Sequence, residues 1–226
     1  MIKFTSVTKR YSEPEPALKD VTFNLEAGQF SFMTGHSGSG KSTVLKLAHM
    51  AERPTLGDIF VNGFSSKRTA RRDIWKLRRQ VGFIFQDFRL LPNRTVLENI
   101  AFVLEVINTP SKEIKERSRI LLNKVRLEAK SDRMIEDLSG GEQQQVAIGR
   151  ALAGNPVLLL ADEPTGNLDT ESTKNIMDLF WSINQSGTTV LMATHDLNLI
   201  QDHPQARLLE LHSGKLINDS GIKASY

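Results

Sequence analysis

The amino-acid sequence predicts an α/β fold, a core of buried strands and helices interrupted by a helical lobe. Three observations predict it. The signals run β-rich first, then helical, then alternating β and α. The strand-like run "FSFMT" passes straight into the glycine-rich loop "GHSGSGKST", and that loop passes into a helical pattern. The stretch "VLLLADE" holds an unbroken apolar run, Val157 to Ala161, of the kind buried on both faces of a parallel sheet. These place the core at about residues 1–88 and 156–226 and the lobe at about 89–155, within a single domain.

Each element has its own signal. "IKFTSVTKRY" and "VTFNL" read as strands parted by the proline-bearing loop "SEPEPALKD". After "FSFMT" a helix is expected from Lys41 to about Ala51, with Pro54 and Gly57 marking its exit. "DIFVNG" is a strand closed by an Asn-Gly turn, and "VGFIF" a buried strand ending at Gln86. From Thr95 to about Arg126 apolar residues recur at helical spacing, with Thr109-Pro110 opening a second helix. A third helix is expected from about Glu142 to Ala153. A helix from about Thr170 to Asn184, the strand "TTVLMAT", a short helix and two small strands complete the order. The polar tail "NDSGIKASY" is expected to be loose.

Composition narrows the classes of function. At 226 residues the chain can bury a substantial core. Its net charge of +3 is too small to argue for nucleic acid. Without cysteine there is no disulfide framework, thiolate nucleophile or Cys-ligated metal, in agreement with a cytosolic protein. "MIKFTSVTKRY" lacks the apolar run of a signal peptide, and no apolar stretch nears the ~18 residues of a membrane helix. Work at a membrane therefore requires something other than a spanning helix to hold the chain there.

"GHSGSGKST" fits G-x-x-x-x-G-K-[ST] in full, between a strand and a helix as the motif requires. Over Gly35, His36, Ser37, Gly38, Ser39, Gly40, Lys41, Ser42 and Thr43, glycines allow backbone N–H groups to close around phosphate oxygens. Lys41 is placed to reach the β- and γ-phosphates, and the Ser42 hydroxyl to ligate Mg²⁺. A merely flexible Gly/Ser turn sits poorly with these flanks. Asp162, at the end of a buried strand, is the candidate to hold Mg²⁺, and Glu163 to polarise the attacking water. Gln86 and His195 also follow strands and are expected to project towards the γ-phosphate, Gln86 as a further metal candidate; taken alone, each reads rather as a surface polar residue. No second His stands at metal-ligand spacing from His195, so zinc is a poor reading.

One stretch does not fit a single phosphate site. "LSGGEQQQ", residues 138 to 145, looks like a second anion loop far from the first. Taken in order, Tyr11, "GHSGSGKST", "FQD", "LSGGEQQQ", "LLLADEP", "GNLD" and "ATHD" resemble the ATP-binding cassette family from end to end. The resemblance implies a P-loop NTPase with a RecA-like core, an antiparallel β subdomain and an inserted helical subdomain. It implies an ATPase using ATP and Mg²⁺, in which two copies pair head to tail on ATP. Ser139, Gly140, Gly141 and Glu142 then serve the nucleotide held by the other copy, so two loops serve two nucleotides. Tyr11 resembles the aromatic that stacks on adenine, with a β-strand core residue as the alternative. Asp169 resembles the loop crossing the dimer interface, and it equally suits an N-cap for the helix starting at Thr170. Gln145 stands where the family usually has Arg.

Within the family, "FQDFRLLPNRTVLENIAF", "LADEPTGNLD" and "LMATHDLNLI" look most like the cell-division branch. That branch works beneath the membrane with a membrane protein that regulates peptidoglycan hydrolases, and it touches the division-ring protein. Lipoprotein-release and macrolide-export ATPases share "EPTGNLD" and form the alternative. Soluble DNA-repair cassettes carry long coiled coils and translation factors two cassettes, neither of which this sequence has. The resemblance also places the membrane partner's coupling helix in a groove bordered by "DFRLLPNRTVLENI", whose Phe88, Leu90 and Leu91 either meet that partner or plug the joint between core and lobe. Finally, "KRTARRDIWKLRR", residues 67 to 79, holds seven basic residues and one acidic one: a solvated helix face, or a surface drawn to anionic lipid headgroups.

Overall fold

The strands at 2–9 and 18–25 alternate buried and exposed side chains over much of their length, whereas those at 30–34, 158–162 and 189–193 are buried along nearly their whole length, and the chain accordingly builds two sheets. The structure is a computed structural model that describes residues 1–11 and 15–221; part of the proline-bearing loop and the end of the tail lie outside the described residues. β1 (Ile2–Lys9) and β2 (Leu18–Leu25) form an antiparallel pair. β3 (Phe30–Thr34) is buried along its whole length and leads into α1 (Lys41–Ala48). β4 (Leu56–Val61) and β5 (Phe64–Ser65) join the first sheet through the expected Asn-Gly turn, with φ of 41° at Asn62 and 89° at Gly63. α2 (Ile74–Arg78) is a short helix ahead of β6 (Val81–Ile84).

Three helices follow: α3 (Val96–Val106), α4 (Ser111–Lys124) and α5 (Gly140–Leu152). β7 (Leu158–Asp162), α6 (Thr170–Gln185), β8 (Thr189–Ala193), α7 (Leu197–Gln201), β9 (Arg207–His212) and β10 (Lys215–Asp219) complete the chain. The antiparallel sheet has the order β2-β1-β4-β5, and the larger one β10-β9-β3-β8-β7-β6. In the latter all neighbours pair parallel except β10 with β9.

Both faces of the parallel sheet are covered, and the strand period decides which side chain goes where. Met33, Leu158, Leu160, Leu191 and Ala193 face a core shared with the antiparallel sheet and α1. Phe32, Leu159, Ala161, Val190 and Met192 face a second core with the helices. Ile100 of α3, Leu122 of α4 and Val146 of α5 belong to that second core, so the apolar interior runs unbroken from sheet to helices. Several expected bounds shift. α1 stops at Ala48, and Val157 precedes β7 with 39% of its surface exposed, so the buried run begins at Leu158. α5 begins at Gly140, two residues earlier than expected, because Ser139 and Glu142 form a capping box. Part of the tail expected to be loose is strand β10, paired to β9. Among the described residues no helix is long and apolar enough to cross a membrane.

Candidate functional site

Parallel strands end at one common edge, so the residues that follow β3, β8, β7 and β6 are brought into a row. That row holds the loop 35–40, His195, the pair Asp162–Glu163, and Gln86, drawn from four parts of the sequence.

The loop after β3 takes a path open only to glycine. Gly35, Gly38 and Gly40 have φ of 146°, 76° and 109°. A Cβ on Gly35 would lie 2.1 Å from the carbonyl oxygen of Leu211, and one on Gly40 would lie 2.8 Å from that of Ala17. Gly40 caps α1 without a side-chain hydrogen bond, leaving the first-turn N–H groups to meet an anion. Lys41 is only 6% exposed and donates to the carbonyls of Gly35 at 2.8 Å and His36 at 3.2 Å. The Ser39 hydroxyl is buried without a hydrogen-bond partner in the same loop, while His36 and Ser37 are exposed at its tip.

The carboxylates after β7 complete the cluster. Ser42 Oγ donates to Asp162 Oδ1 at 3.0 Å. Burial pushes the Asp162 carboxyl above its usual range; the Glu163 charge adds to this, and the Ser42 hydrogen bond opposes it. Glu163 Oε1 lies 3.7 Å from Lys41 Nζ, and its Oε2 lies 3.0 Å from His195 Nδ1. Glu163 holds φ at 47°, a left-handed conformation that costs a non-glycine residue about 1–2 kcal/mol. Its N–H donates to Ala193 O at 3.0 Å, so sheet pairing sustains that strain. Gln86 is exposed and lines one cleft with Ser42, Asp162 and Asn167. A hydroxyl, a carboxylate and an amide oxygen are hard donors, the set that suits Mg²⁺.

Tyr11 lies just beyond β1 and is 44% exposed, so it is not the strand core residue that was the alternative. Lys9 Nζ stands 4.9 Å from its ring centre. Burial and the neighbouring Glu52 push the pKa of its hydroxyl up to about 12, with Thr43 opposing the rise. The second loop stands apart. Ser139 accepts from Glu142 N at 3.3 Å, and Glu142 is ion-paired with Lys130. A Cβ on Gly141 would lie 2.8 Å from Ser172 Oγ, so the glycine permits the close approach of α6. Among the described residues no hydrogen bond or ion pair joins 139–142 to 35–43. Asp169 does cap α6, accepting from Ser172 N and Oγ, each at 2.8 Å, and those bonds hold its carboxyl below the usual range. Gln145 is half-buried on the second turn of α5.

The loop after Gln86 divides its apolar residues. Leu90 packs against the second core, as a plug would. Phe88, at φ 55°, instead lines a groove with Phe83, Phe85 and Val103, bounded by Arg78 and Arg150. Leu91 is half-buried, its backbone held by Asn99. Sequence reasoning missed Asn99: fully buried, it accepts from Leu91 N and donates to the carbonyls of Leu91, Arg94 and Thr95. An amide on the apolar face of a predicted helix was the signal available.

Residues 18–166 match the family described as ABC transporter. The chain is 48% identical over 220 residues to the cell division ATP-binding protein FtsE of Mycobacterium tuberculosis, covering 97% of this chain and 95% of that one. It is 47% identical over 216 residues to FtsE of Escherichia coli K12, covering 96% and 97%. A solved dimeric ATP-binding cassette in a post-hydrolysis state, bound to ADP and Pi, superposes with a TM-score of 0.87 at 35% identity, covering 97% of this chain and 98% of that one.

Proposed function

The chain belongs to the ABC transporter family, and from that premise we propose that it is the ATPase subunit of a cell-division assembly, hydrolysing ATP to ADP and phosphate. The observation that supports the chemistry best is the cluster at the end of β7, where Lys41, Ser42, Glu163 and His195 converge. Residues 35–43 hold the phosphates through backbone N–H groups and Lys41. Ser42, Gln86 and Asp162 hold Mg²⁺, which when bound neutralises charge on the phosphate oxygens. Glu163 orients the attacking water and accepts its proton; His195, 3.0 Å away, fixes that carboxylate. Tyr11, exposed beyond the end of β1, offers its face to adenine.

The isolated position of 139–142 supports a head-to-tail homodimer, in which Ser139 and the amides of Gly140 and Gly141 close on the nucleotide of the second copy. Asp169 crosses that interface besides capping α6, and Gln145, one turn further in, leaves the phosphate contacts unchanged. The helical lobe, 89–155, carries this loop and borders the Phe88 groove, which receives a cytoplasmic helix of a membrane partner of the FtsX type. The ATPase is then cytoplasmic and peripheral on the inner face of the membrane, with FtsZ a further partner and nucleic acid none. Mixing two variants tests the arrangement. Lys41→Ala and Ser139→Arg are each inactive alone, but a mixed dimer contains one site free of both lesions, so turnover partly returns. Heterodimers that form yet never recover turnover refute it.

A further inference from the structure

Apart from Arg78 and Arg79, which line the Phe88 groove, the basic stretch 67–79 has no part in the site described above. It forms a 3₁₀ turn (Arg71–Asp73) followed by the five-residue α2, packed beside β6 at the edge of the larger sheet. All seven of its basic side chains are exposed. Its one acidic residue, Asp73, is already paired with Lys76 at 2.8 Å. This surplus exceeds the net charge of the whole chain, +3, so the remaining residues are net acidic and the positive charge is concentrated here. Leu77 anchors α2 in the core, with none of its surface exposed, whereas Trp75 in the same helix is 50% exposed. The Arg79 guanidinium lies 4.6 Å from the Trp75 ring centre and the Lys76 ammonium 5.9 Å.

We propose that residues 67–79 form a docking surface for an anionic lipid bilayer. The cations meet headgroup phosphates, and Trp75 sits at headgroup level. An amphipathic indole flanked by Lys and Arg matches the interface, where one part of the ring meets apolar chains and the other stays wet. Nucleic acid would also answer the charge. It would need a free aromatic face for base stacking, and the face of Trp75 is already attended by Arg79 and Lys76.

The test is sedimentation of the purified chain with vesicles of phosphatidylcholine alone or containing about one-third phosphatidylglycerol. The chain is expected to bind the anionic vesicles only, and to release at about 1 M salt, where the Debye length falls to about 3 Å. Each cation at such a surface is worth about fivefold, so Arg68→Ala, Arg71→Ala and Arg72→Ala together lower partition about a hundredfold. None of the three is in the nucleotide site, so ATP hydrolysis without vesicles is the control for folding. Trp75 emission shifts to the blue on anionic vesicles, read in Trp181→Phe protein; if that variant misfolds, the difference between the native chain and Trp75→Phe gives the same signal. Equal binding to neutral vesicles, a triple variant that binds like the native chain, or binding to an oligonucleotide but to neither vesicle overturns the proposal.

Discussion

Glu163→Gln separates chemistry from binding, because the two effects move in opposite directions. The change keeps the shape of the side chain and the backbone at φ 47°, removing only the charge. At 3.7 Å from Lys41 and an effective dielectric of about 20, the gross attraction is about 4 kcal/mol. Glu163 keeps 19% of its side-chain surface exposed, and screening reduces this to about 1–2 kcal/mol. Freed from that carboxylate, Lys41 is available to phosphate, so the dissociation constant for ATP is expected to fall by about five- to thirtyfold. Loss of the group that accepts the proton costs about 10²–10⁴ in rate, or about 3–5 kcal/mol in the barrier. Phosphate release under saturating ATP measures the loss in rate, and titration with a fluorescent ATP analogue the gain in affinity. ATP-bound dimers should accumulate on size-exclusion chromatography, since closure no longer ends in cleavage. A turnover within about threefold of the native chain, or an ATP affinity that weakens along with turnover, refutes the role given to Glu163.

Three further outcomes are expected. Asp162 has a raised pKa from burial, so its charge is a penalty on the native state that is absent below the unfolded pKa and grows as pH rises through the folded one. Asp162→Asn, which keeps an acceptor for Ser42, should therefore raise the melting temperature at neutral pH, with a gain that shrinks towards pH 4, while abolishing Mg²⁺-dependent hydrolysis; a gain that is largest in acid contradicts this. Asn99→Leu removes the side-chain partner of the Leu91 N–H and of the Arg94 carbonyl, while the carbonyls of Leu91 and Thr95 keep the N–H groups of residues 94 and 99, so urea denaturation should show a loss of about 1–3 kcal/mol, and a loss under about 0.5 kcal/mol would mean the loop re-forms with other partners. Phe88→Glu should leave ATP binding intact but prevent recovery of an FtsX-type protein from membranes, a sharper test than Leu91→Glu because Phe88 lines the groove while Leu91 is held by Asn99; cross-links from 88–94 to an export permease instead would assign the chain to the export branch.

What was legible in the sequence is whatever a few adjacent residues decide by themselves. The positive φ values at Gly35, Gly38 and Gly40 follow from the need for a residue without Cβ, and the motif displays that need as letters. The Asn62-Gly63 turn, the capping role of Asp169 and the fully buried strand at Leu158–Ala161 are likewise written in local chemistry and period. The misplaced bounds are of the same local kind. Val157 is apolar and its backbone bonds to Gln80 and Thr189, but its side chain sits at the sheet's entry and is 39% exposed, and Ser139 starts α5 early because its cap partner is three residues ahead.

Adjacency over long separations was decided only by the tertiary structure. Ser42 meets Asp162 across 120 residues because β3 and β7 are each paired to β8, a strand order that burial of both sheet faces selects. The same order sets His195 beside Glu163 and aligns Gln86 with them. Tyr11 is exposed rather than core because β1 ends at Lys9, where the register with β2 and β4 runs out. Leu90 and Phe88 differ in fate although both are apolar loop residues, since consecutive left-handed residues at 88 and 89 turn the backbone between groove and core. A one-dimensional string records the period and the torsional demands of each element, but which strand lies beside which depends on how all of them bury their faces together.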